Sequence, residues 1–151
     1  MEYSFHGVNE CKLDAKNRLS VPAAYRNQLA QQGETELVLR LDDYCNCLNI
    51  YPKSVWNKEL AVIQSKLNML DKKDRFFFMS YARTVRMLEI DSTGRILIPK
   101  YYMQQVALEN EVQVTGLFDY FSIATREFGE KLMAREELAD EVQRRFGNKE
   151  D

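Results

Sequence analysis

The sequence predicts an α+β fold made of two tandem copies of one unit, and three observations support this prediction. Residues 13–22 read LDAKNRLSVP and residues 90–99 read IDSTGRILIP, so one stretch occurs twice with Asp, Arg and Pro at matching positions. Short runs rich in aliphatic residues flank both copies, as is typical of β-strands. Segments with apolar residues three and four positions apart follow, which is typical of amphipathic helices.

Each copy encodes a tight turn between two strands. Asp14 and Asp91 end the first strand, and three small or polar residues follow each of them. Asn17 and Gly94 occupy the same position of the turn, and both residue types tolerate a positive φ. Aliphatic residues then resume the strand up to a proline, which cannot donate to a sheet and suits the first turn of a helix. We therefore expect strand, turn, strand and helix in each copy.

The duplicated motif carries a resemblance to a known family. The pattern D-x-x-[GN]-R-[LI]-x-[VI]-P, present twice in a chain of this size, resembles the MraZ family of bacterial DNA-binding transcriptional regulators. The resemblance covers residues 5–146 and implies two AbrB-like (SpoVT-AbrB) swapped-hairpin repeats with pseudo-two-fold symmetry and flanking helices. Asn17 stands where the family usually has glycine, which is a conservative replacement for turn geometry.

The repeat divides the chain into two predicted half-domains, residues 5–71 and residues 72–147. In the first half we expect a helix over 23–30 and strands over 7–13, 36–41 and 47–51. An amphipathic helix follows, whose apolar stripe consists of Val55, Trp56, Leu60, Ile63, Leu67 and Leu70.

The second half repeats this plan. We expect strands over 85–90, 111–115 and 120–124, and helices over 73–82 and 100–108. A single closing helix is expected to carry its apolar residues on one side, namely Phe128, Leu132, Leu138, Val142 and Phe146.

A charged segment followed by aromatic residues marks the boundary between the halves. Residues 72–75 read KKDR and residues 76–79 read FFFM. The aromatic residues have two interpretations, stacking on nucleic-acid bases and packing between the two repeats. Packing between the repeats is the simpler explanation, and we expect it here.

Charge and composition limit the classes of function. The net charge of −2 and the isoelectric point of about 5.6 argue against a non-specific polyanion binder. No apolar run approaches the roughly 18 residues of a membrane span, and MEYSFHGVNE lacks the features of a secretory signal, so we expect a cytoplasmic protein. A locally basic face is still compatible with this charge, because cations lie around both copies: Lys12, Lys16, Arg18, Arg26 and Arg40, then Arg86, Arg95 and Lys100.

Metal and catalytic chemistry find little support in the sequence. Cys11, Cys45 and Cys47 lack C-x-x-C spacing, and His6 is the single histidine. Cys45 and Cys47 would face the same side of a strand, which favours a small core pair over a redox role. We expect no metal, no cofactor, no small-molecule substrate and no enzymatic activity.

Arg18 and Arg95 are the candidate functional residues. Each could pair with its own aspartate, Asp14 or Asp91, and serve to set the geometry of the turn. Each could also contact phosphates or guanine edges, because a planar guanidinium suits both. On residue chemistry alone the two interpretations are equally supported, and they are compatible because a supported arginine is a better recognition group.

The resemblance favours DNA contact by these arginines, with the aspartates orienting them and with Lys12 and Lys16 as further DNA-binding residues. It implies a ring-shaped homo-oligomer, associated with the nucleoid, that binds short direct repeats in the promoter of the division and cell-wall gene cluster. Small half-domains with exposed strand edges also favour a homo-oligomer, since one hairpin presents little surface to double-stranded DNA. Two alternatives remain: an antitoxin-like protein-interaction module of AbrB type, and an enzyme that uses the paired aspartates.

Overall fold

A computed structural model describes residues 2–147 of the chain. The first half contains β1 (Val8–Lys12), β2 (Arg18–Ser20), α1 (Ala23–Gln31), β3 (Glu36–Leu41), β4 (Leu48–Pro52) and α2 (Lys53–Ser65). The second half contains α3 (Lys72–Ala82), β5 (Val85–Glu89), β6 (Arg95–Leu97), α4 (Lys100–Gln105), β7 (Glu111–Gly116), β8 (Phe121–Ala124), α5 (Arg126–Glu130) and α6 (Arg135–Phe146). The predicted α+β class is confirmed.

The two halves share one antiparallel sheet. Its six strands run in the order β1-β7-β8-β4-β3-β5, so the first strand of each half pairs with a strand of the other half. The short strands β2 and β6 pair with each other and form a separate two-stranded sheet. Within the first copy, the strands on either side of the turn pair only through an isolated β-bridge between Leu13 and Leu19. Strand β2 pairs with β6 instead. The hairpins are therefore exchanged between the halves.

A pseudo-two-fold axis relates the halves. In the two-stranded sheet, Leu19 lies opposite Ile96, its own counterpart in the repeat. The backbone hydrogen bonds on either side are reciprocal, from Val21 N to Gly94 O at 3.0 Å and from Ile98 N to Asn17 O at 2.9 Å. We call β2 and β6, each with its turn, the exchanged arms. Each arm satisfies backbone hydrogen-bonding groups of the other, and the pairing brings the two turns to neighbouring positions.

The core lies where the exchanged arms meet the large sheet. Leu19 and Ile96 are fully buried, and so are Phe5 and Phe121, whose rings pack edge to face at 5.4 Å between centroids. Tyr25 packs against both phenylalanines, and its hydroxyl donates to the carbonyl of His6 at 2.9 Å. Its counterpart Tyr102 donates in the same way to the carbonyl of Thr84 at 3.1 Å. The repeat therefore extends to buried polar contacts.

Helix α3 is held to the sheet mainly near its C-terminal end. Tyr81 stacks on Trp56 of α2, and the guanidinium of Arg40 lies 4.0 Å from the centre of the Tyr81 ring. Arg40 is buried and donates to both carboxylate oxygens of Asp43, at 2.8 and 3.1 Å. Arg40 is thus a structural cation of the fold, and it does not belong to a basic face around the first turn.

The aromatic run does not pack between the repeats, so that prediction is wrong. Phe76 is 74% exposed, Phe77 and Met79 are also exposed, and Phe78 is half-buried. Helix α3 is attached through Tyr81, and Phe77, one turn earlier on the same face, stacks on the Tyr81 ring, whereas Phe76 and Met79 lie on another side of the helix. A strongly apolar helical face is left in contact with solvent.

Two helix predictions also need correction. The stripe over 55–70 is not one helix, because α2 ends at Ser65 and Leu70 is 95% exposed. The closing helix is two helices, α5 and α6, separated by residues 131–134. Gly129 lowers helix propensity near this break, and Gln113 occupies the space where a side chain at 129 would lie.

The cysteines do not form a core pair. Cys47 is buried at the end of the loop that precedes β4, whereas Cys45 is exposed earlier in that loop and Cys11 is partly buried. Asp42 organises this loop by accepting hydrogen bonds from the backbone N–H groups of Tyr44 and Cys45. The loop geometry removes the strand alternation on which the prediction of a shared face rested.

Two further properties concern the described residues as a whole. Within residues 2–147, no helix combines the length and the apolar character that crossing a membrane requires. The same residues hold no group of three or more His, Cys, Asp or Glu side chains arranged to bind a metal ion.

Candidate functional site

The first turn, residues 14–18, is built around one carboxylate. Asp14 Oδ1 accepts hydrogen bonds from the backbone N–H groups of Lys16 and Arg18, both at 2.9 Å. Asp14 Oδ2 accepts from Nε of Arg18 at 2.8 Å. Asn17 has a φ of 63° in this turn, and its N–H donates to the carbonyl of Asp14 at 3.0 Å. One aspartate thus shapes the turn and fixes the arginine.

The second turn, residues 91–95, repeats this arrangement. Asp91 Oδ1 accepts from the backbone N–H groups of Thr93 and Arg95, both at 2.9 Å, and also from the Thr93 hydroxyl at 2.8 Å. Asp91 Oδ2 accepts from Nε of Arg95 at 3.3 Å. Gly94 has a φ of 81°, and its N–H donates to the carbonyl of Asp91 at 3.0 Å.

Both aspartates remain ionised at neutral pH. The backbone hydrogen bond from Arg18 is the main cause that lowers the pKa of Asp14, together with the one from Lys16 and the guanidinium of Arg18. The backbone hydrogen bond from Arg95, followed by the hydroxyl of Thr93, lowers the pKa of Asp91 to about 2. Two fixed negative charges therefore stand beside the two arginines.

The exchange of arms brings the turns close together. Because β2 pairs with β6, Arg95 Nη1 lies 3.7 Å from Asp14 Oδ2, in addition to its contact with Asp91. Asp14 is therefore near both arginines, whereas Asp91 pairs with Arg95. The turns form one bipartite surface, which we call the arginine surface, defined by residues 14–18 and 91–95.

The guanidinium groups keep donors available at this surface. Arg18 makes its side-chain hydrogen bond through Nε, so its two terminal nitrogens have no hydrogen-bond partner among residues 2–147. Both arginine side chains are about one-third exposed, at 30% for Arg18 and 31% for Arg95. A planar fork anchored through Nε can offer its terminal N–H groups to a phosphate or to the acceptor pair of a guanine.

The predicted lysines lie in different surroundings. Lys16 is exposed within the first turn, next to Arg18. Lys12 is exposed at the end of β1 and lines a groove with Glu109, Glu111 and Glu127. Lys16 adds positive charge to the arginine surface, while Lys12 lies in an acidic environment.

Arg26 lies beside the second turn, and the prediction that it lies near the first turn is wrong. Arg26 follows the first turn in the chain, but the exchanged arms place it against the second turn. A Cβ on Gly94 would lie 2.3 Å from Arg26 Cδ. Arg26 also lines a groove with residues 91–94. The position of Arg26 beside the second turn could have been predicted only from the exchanged hairpins that the family resemblance implies.

The fold and this surface define the class of the protein. A tandem pair of exchanged hairpins, each with a turn that holds an aspartate-supported arginine, is an AbrB-like double-repeat architecture.

Comparison with known proteins identifies the family within that class. The family model described as "MraZ protein, putative antitoxin-like" matches residues 4–78 and again residues 83–149. A relative from Bacteroides thetaiotaomicron is 37% identical over 135 residues, which are 89% of this chain and 86% of the relative. A relative from Bacteroides fragilis is 35% identical over 152 residues, covering 95% of this chain and 96% of the relative. Both relatives are named transcriptional regulator MraZ. The chain belongs to the MraZ family, as its duplicated motif predicts.

Proposed function

We propose that the protein is a non-enzymatic transcriptional regulator that binds double-stranded DNA through Arg18 and Arg95. One observation carries the proposal: two arginines, each anchored through Nε by an ionised aspartate, lie side by side on neighbouring turns, and the terminal nitrogens of Arg18 make no hydrogen bond within residues 2–147. Anchoring reduces the side-chain entropy that each arginine would lose on binding DNA. The names of the relatives support regulation of transcription.

The charges around Lys16 and Lys12 determine how much each lysine contributes to DNA binding. Lys16 shares the turn with Arg18, so it adds a phosphate contact. Lys12 faces glutamates, which repel phosphates, and its contribution is the smallest of the four predicted DNA-binding residues. Family resemblance gives the proposed target, short direct repeats in the promoter of the division and cell-wall gene cluster, and with it a cytoplasmic location at the nucleoid.

Exposed apolar helical faces support a homo-oligomer in which many turns meet the DNA together. Two helical regions carry these faces, α2 with α3 and α5 with α6. Helix α2 contacts β3 and β4, while α5 contacts β7, so the two regions lie on opposite halves of the sheet. The exposed apolar side chains of the first region include Val62, Met69, Leu70, Phe76, Phe77 and Met79. Those of the second include Leu132, Met133, Leu138, Val142 and Phe146. Apolar faces of this extent are typical of protein interfaces.

Charge indicates which surfaces meet, and the proposed partner is a second copy of this chain. Helix α3 begins with the basic residues Lys72, Lys73 and Arg75, whereas the first turns of α6 carry Glu136, Glu137 and Asp140. Docking of α3 of one copy on α6 of the next joins two different surfaces. Such a heterologous contact closes into a ring when the rotation between copies permits it.

The test measures how binding depends on the number of target repeats and on salt. The free protein is first sized by light scattering. Binding is then measured with duplexes from its own upstream DNA that carry one, two or three repeats, and with an unrelated duplex as control. Linked contacts predict affinity that rises steeply with repeat number, and a steep salt dependence, because each phosphate contact releases counterions.

Charge and apolar variants then test the assembly. Phe76→Asp with Met79→Asp should reduce the mass of the free particle, since buried carboxylates oppose docking of α3. Tyr44→Asp is the matched control, because Tyr44 is an exposed aromatic residue in the loop before β4. A monomeric wild-type protein that binds all three duplexes equally would contradict the multivalent mechanism, and equal binding to the unrelated duplex would contradict sequence-specific regulation.

The antitoxin-like alternative makes a different prediction. The matching family model carries that description, and the exposed apolar face of α6 could bind a toxin instead of a second copy. In that case the purified protein would remain monomeric, and Leu138→Asp would leave its mass and its DNA binding unchanged. A loss of assembly in Leu138→Asp favours the homo-oligomer.

A further inference from the structure

Position 26 distinguishes the two halves of the arginine surface. When the copies are aligned on Asp14 and Asp91, Arg26 of α1 corresponds to Met103 of α4. Because the arms are exchanged, each of these residues accompanies the turn of the other half. Arg26 lies beside Gly94 in the second turn, and Met103 lines a groove with Asn17 of the first turn. One turn therefore has a cation where the other has a thioether.

The guanidinium of Arg26 has no partner among residues 2–147. Its Nε is buried without a hydrogen bond, and no ion pair involves the side chain. Asp91 lines the same groove, but its carboxylate oxygens accept hydrogen bonds from Thr93 and Arg95. The terminal nitrogens of Arg26 also make no hydrogen bond within residues 2–147 and, unlike Nε, are not buried, so they can donate to an external anion beside an aspartate that is already paired.

Glycine at position 94 makes this placement possible. A Cβ there would lie 2.3 Å from Arg26 Cδ and 2.8 Å from its Nη1, so the arginine occupies the space that a side chain would need. Asn17 at the equivalent position shows that the turn itself tolerates a side chain with positive φ. The absence of a side chain at 94 therefore also gives Arg26 its position over the turn.

The two turns also differ in their own charges. The first turn contains Lys16 as well as Arg18, whereas Thr93 replaces that lysine in the second turn. We propose that Arg26 contacts a DNA phosphate beside the second turn and supplies there, from the other half of the chain, the second cation that Lys16 supplies to the first. This inference rests on the proposed DNA binding of the arginine surface.

The experiment compares salt dependence in substitutions of one cation. Binding of the full-length protein to a repeat-containing duplex and to an unrelated duplex is measured at several salt concentrations. Arg26→Met, which copies Met103, should lower the log–log salt slope by about one for each engaged second turn. At 0.1 M salt it should weaken binding to both duplexes by about fivefold to tenfold per contact, because a phosphate contact carries no sequence information.

Matched variants separate this role from general effects of charge or folding. Arg26→Lys should retain most of the slope, and Lys58→Met, which removes an exposed cation from α2, should leave it unchanged. Arg26→Gln gives the same comparison if the methionine variant fails to fold. A wild-type slope and affinity in both neutral variants would overturn the role of Arg26, and so would a loss confined to the target duplex.

The same assay distinguishes failure of this inference from failure of the proposed function. Arg18→Ala is measured in parallel. If it loses target binding while the neutral variants at position 26 behave as wild type, DNA binding stands and the role of Arg26 is overturned. If the wild-type protein does not bind DNA, or Arg18→Ala binds as well as wild type, the proposed function itself is overturned.

Discussion

The first and second turns carry out one hydrogen-bonding plan with different residues. In both, an aspartate accepts from two backbone N–H groups with one oxygen and from an arginine Nε with the other. The second cation differs, since Lys16 belongs to the first turn while Arg26 reaches the second from α1. The comparison shows that the duplicated motif preserves the support of the arginine, and that the exchanged arms can supply the remaining charge.

The turns also differ in how they share their aspartates. Asp14 lies 2.8 Å from Nε of Arg18 and 3.7 Å from Nη1 of Arg95, so it is near both guanidinium groups. Asp91 is 3.3 Å from Nε of Arg95, and it gains the hydroxyl of Thr93 instead. The second turn thus has the more strongly hydrogen-bonded carboxylate, and the first has the carboxylate that connects the two arginines.

The largest expected effect comes from removing the arginines. Arg18→Ala and Arg95→Ala should each weaken binding to the target duplex by about 1–3 kcal/mol per contact, because each deletes a supported donor fork. Titration of labelled target DNA at fixed salt measures the loss, and Lys58→Ala serves as the control for one positive charge removed elsewhere. Target binding equal to wild type in both arginine variants would show that the turns do not contact DNA.

A smaller effect is expected from the backbone of the turns. Gly94→Ala should lower the free energy of unfolding by about 1–2 kcal/mol, because alanine is strained at a φ of 81°. Asn17→Gly should change it little, since glycine adopts positive φ freely. Urea denaturation at one protein concentration compares the variants, because the stability of an oligomer depends on concentration. Equal stability of Gly94→Ala and wild type would mean that the second turn relaxes to another conformation.

The smallest expected effect comes from substituting the two aspartates, and it should differ between them. Asp14→Asn and Asp91→Asn keep one acceptor for the backbone of the turn but replace the oxygen that holds Nε. We expect Asp14→Asn to reduce the ratio of target to unrelated DNA affinity by about twofold to fivefold, and Asp91→Asn to reduce it less. The ratio is the relevant measurement, because removal of a negative charge strengthens binding to any DNA. A larger loss in Asp91→Asn would contradict the shared role of Asp14.

Local structure was predictable because it depends on neighbouring residues. The matched Asp, Arg and Pro positions predicted two tight turns with strands and helices around them, and the strands β3, β4 and β7 lie within about a residue of the expected bounds. The sequence also identified Arg18 and Arg95 as the arginines of the turns. The division into residues 5–71 and 72–147 stays a prediction, since the two halves share one sheet.

Interactions between distant segments were decided by the tertiary structure. Two copies of one hairpin can satisfy the same backbone hydrogen bonds within themselves or by exchange, so residue patterns alone do not distinguish these outcomes. The pairing of β2 with β6 placed Arg26 over Gly94 and brought Arg95 near Asp14. Likewise, the aromatic run 76–79 was expected to pack between the repeats but is largely exposed, because the residue types predict apolar side chains and only tertiary packing determines what covers them.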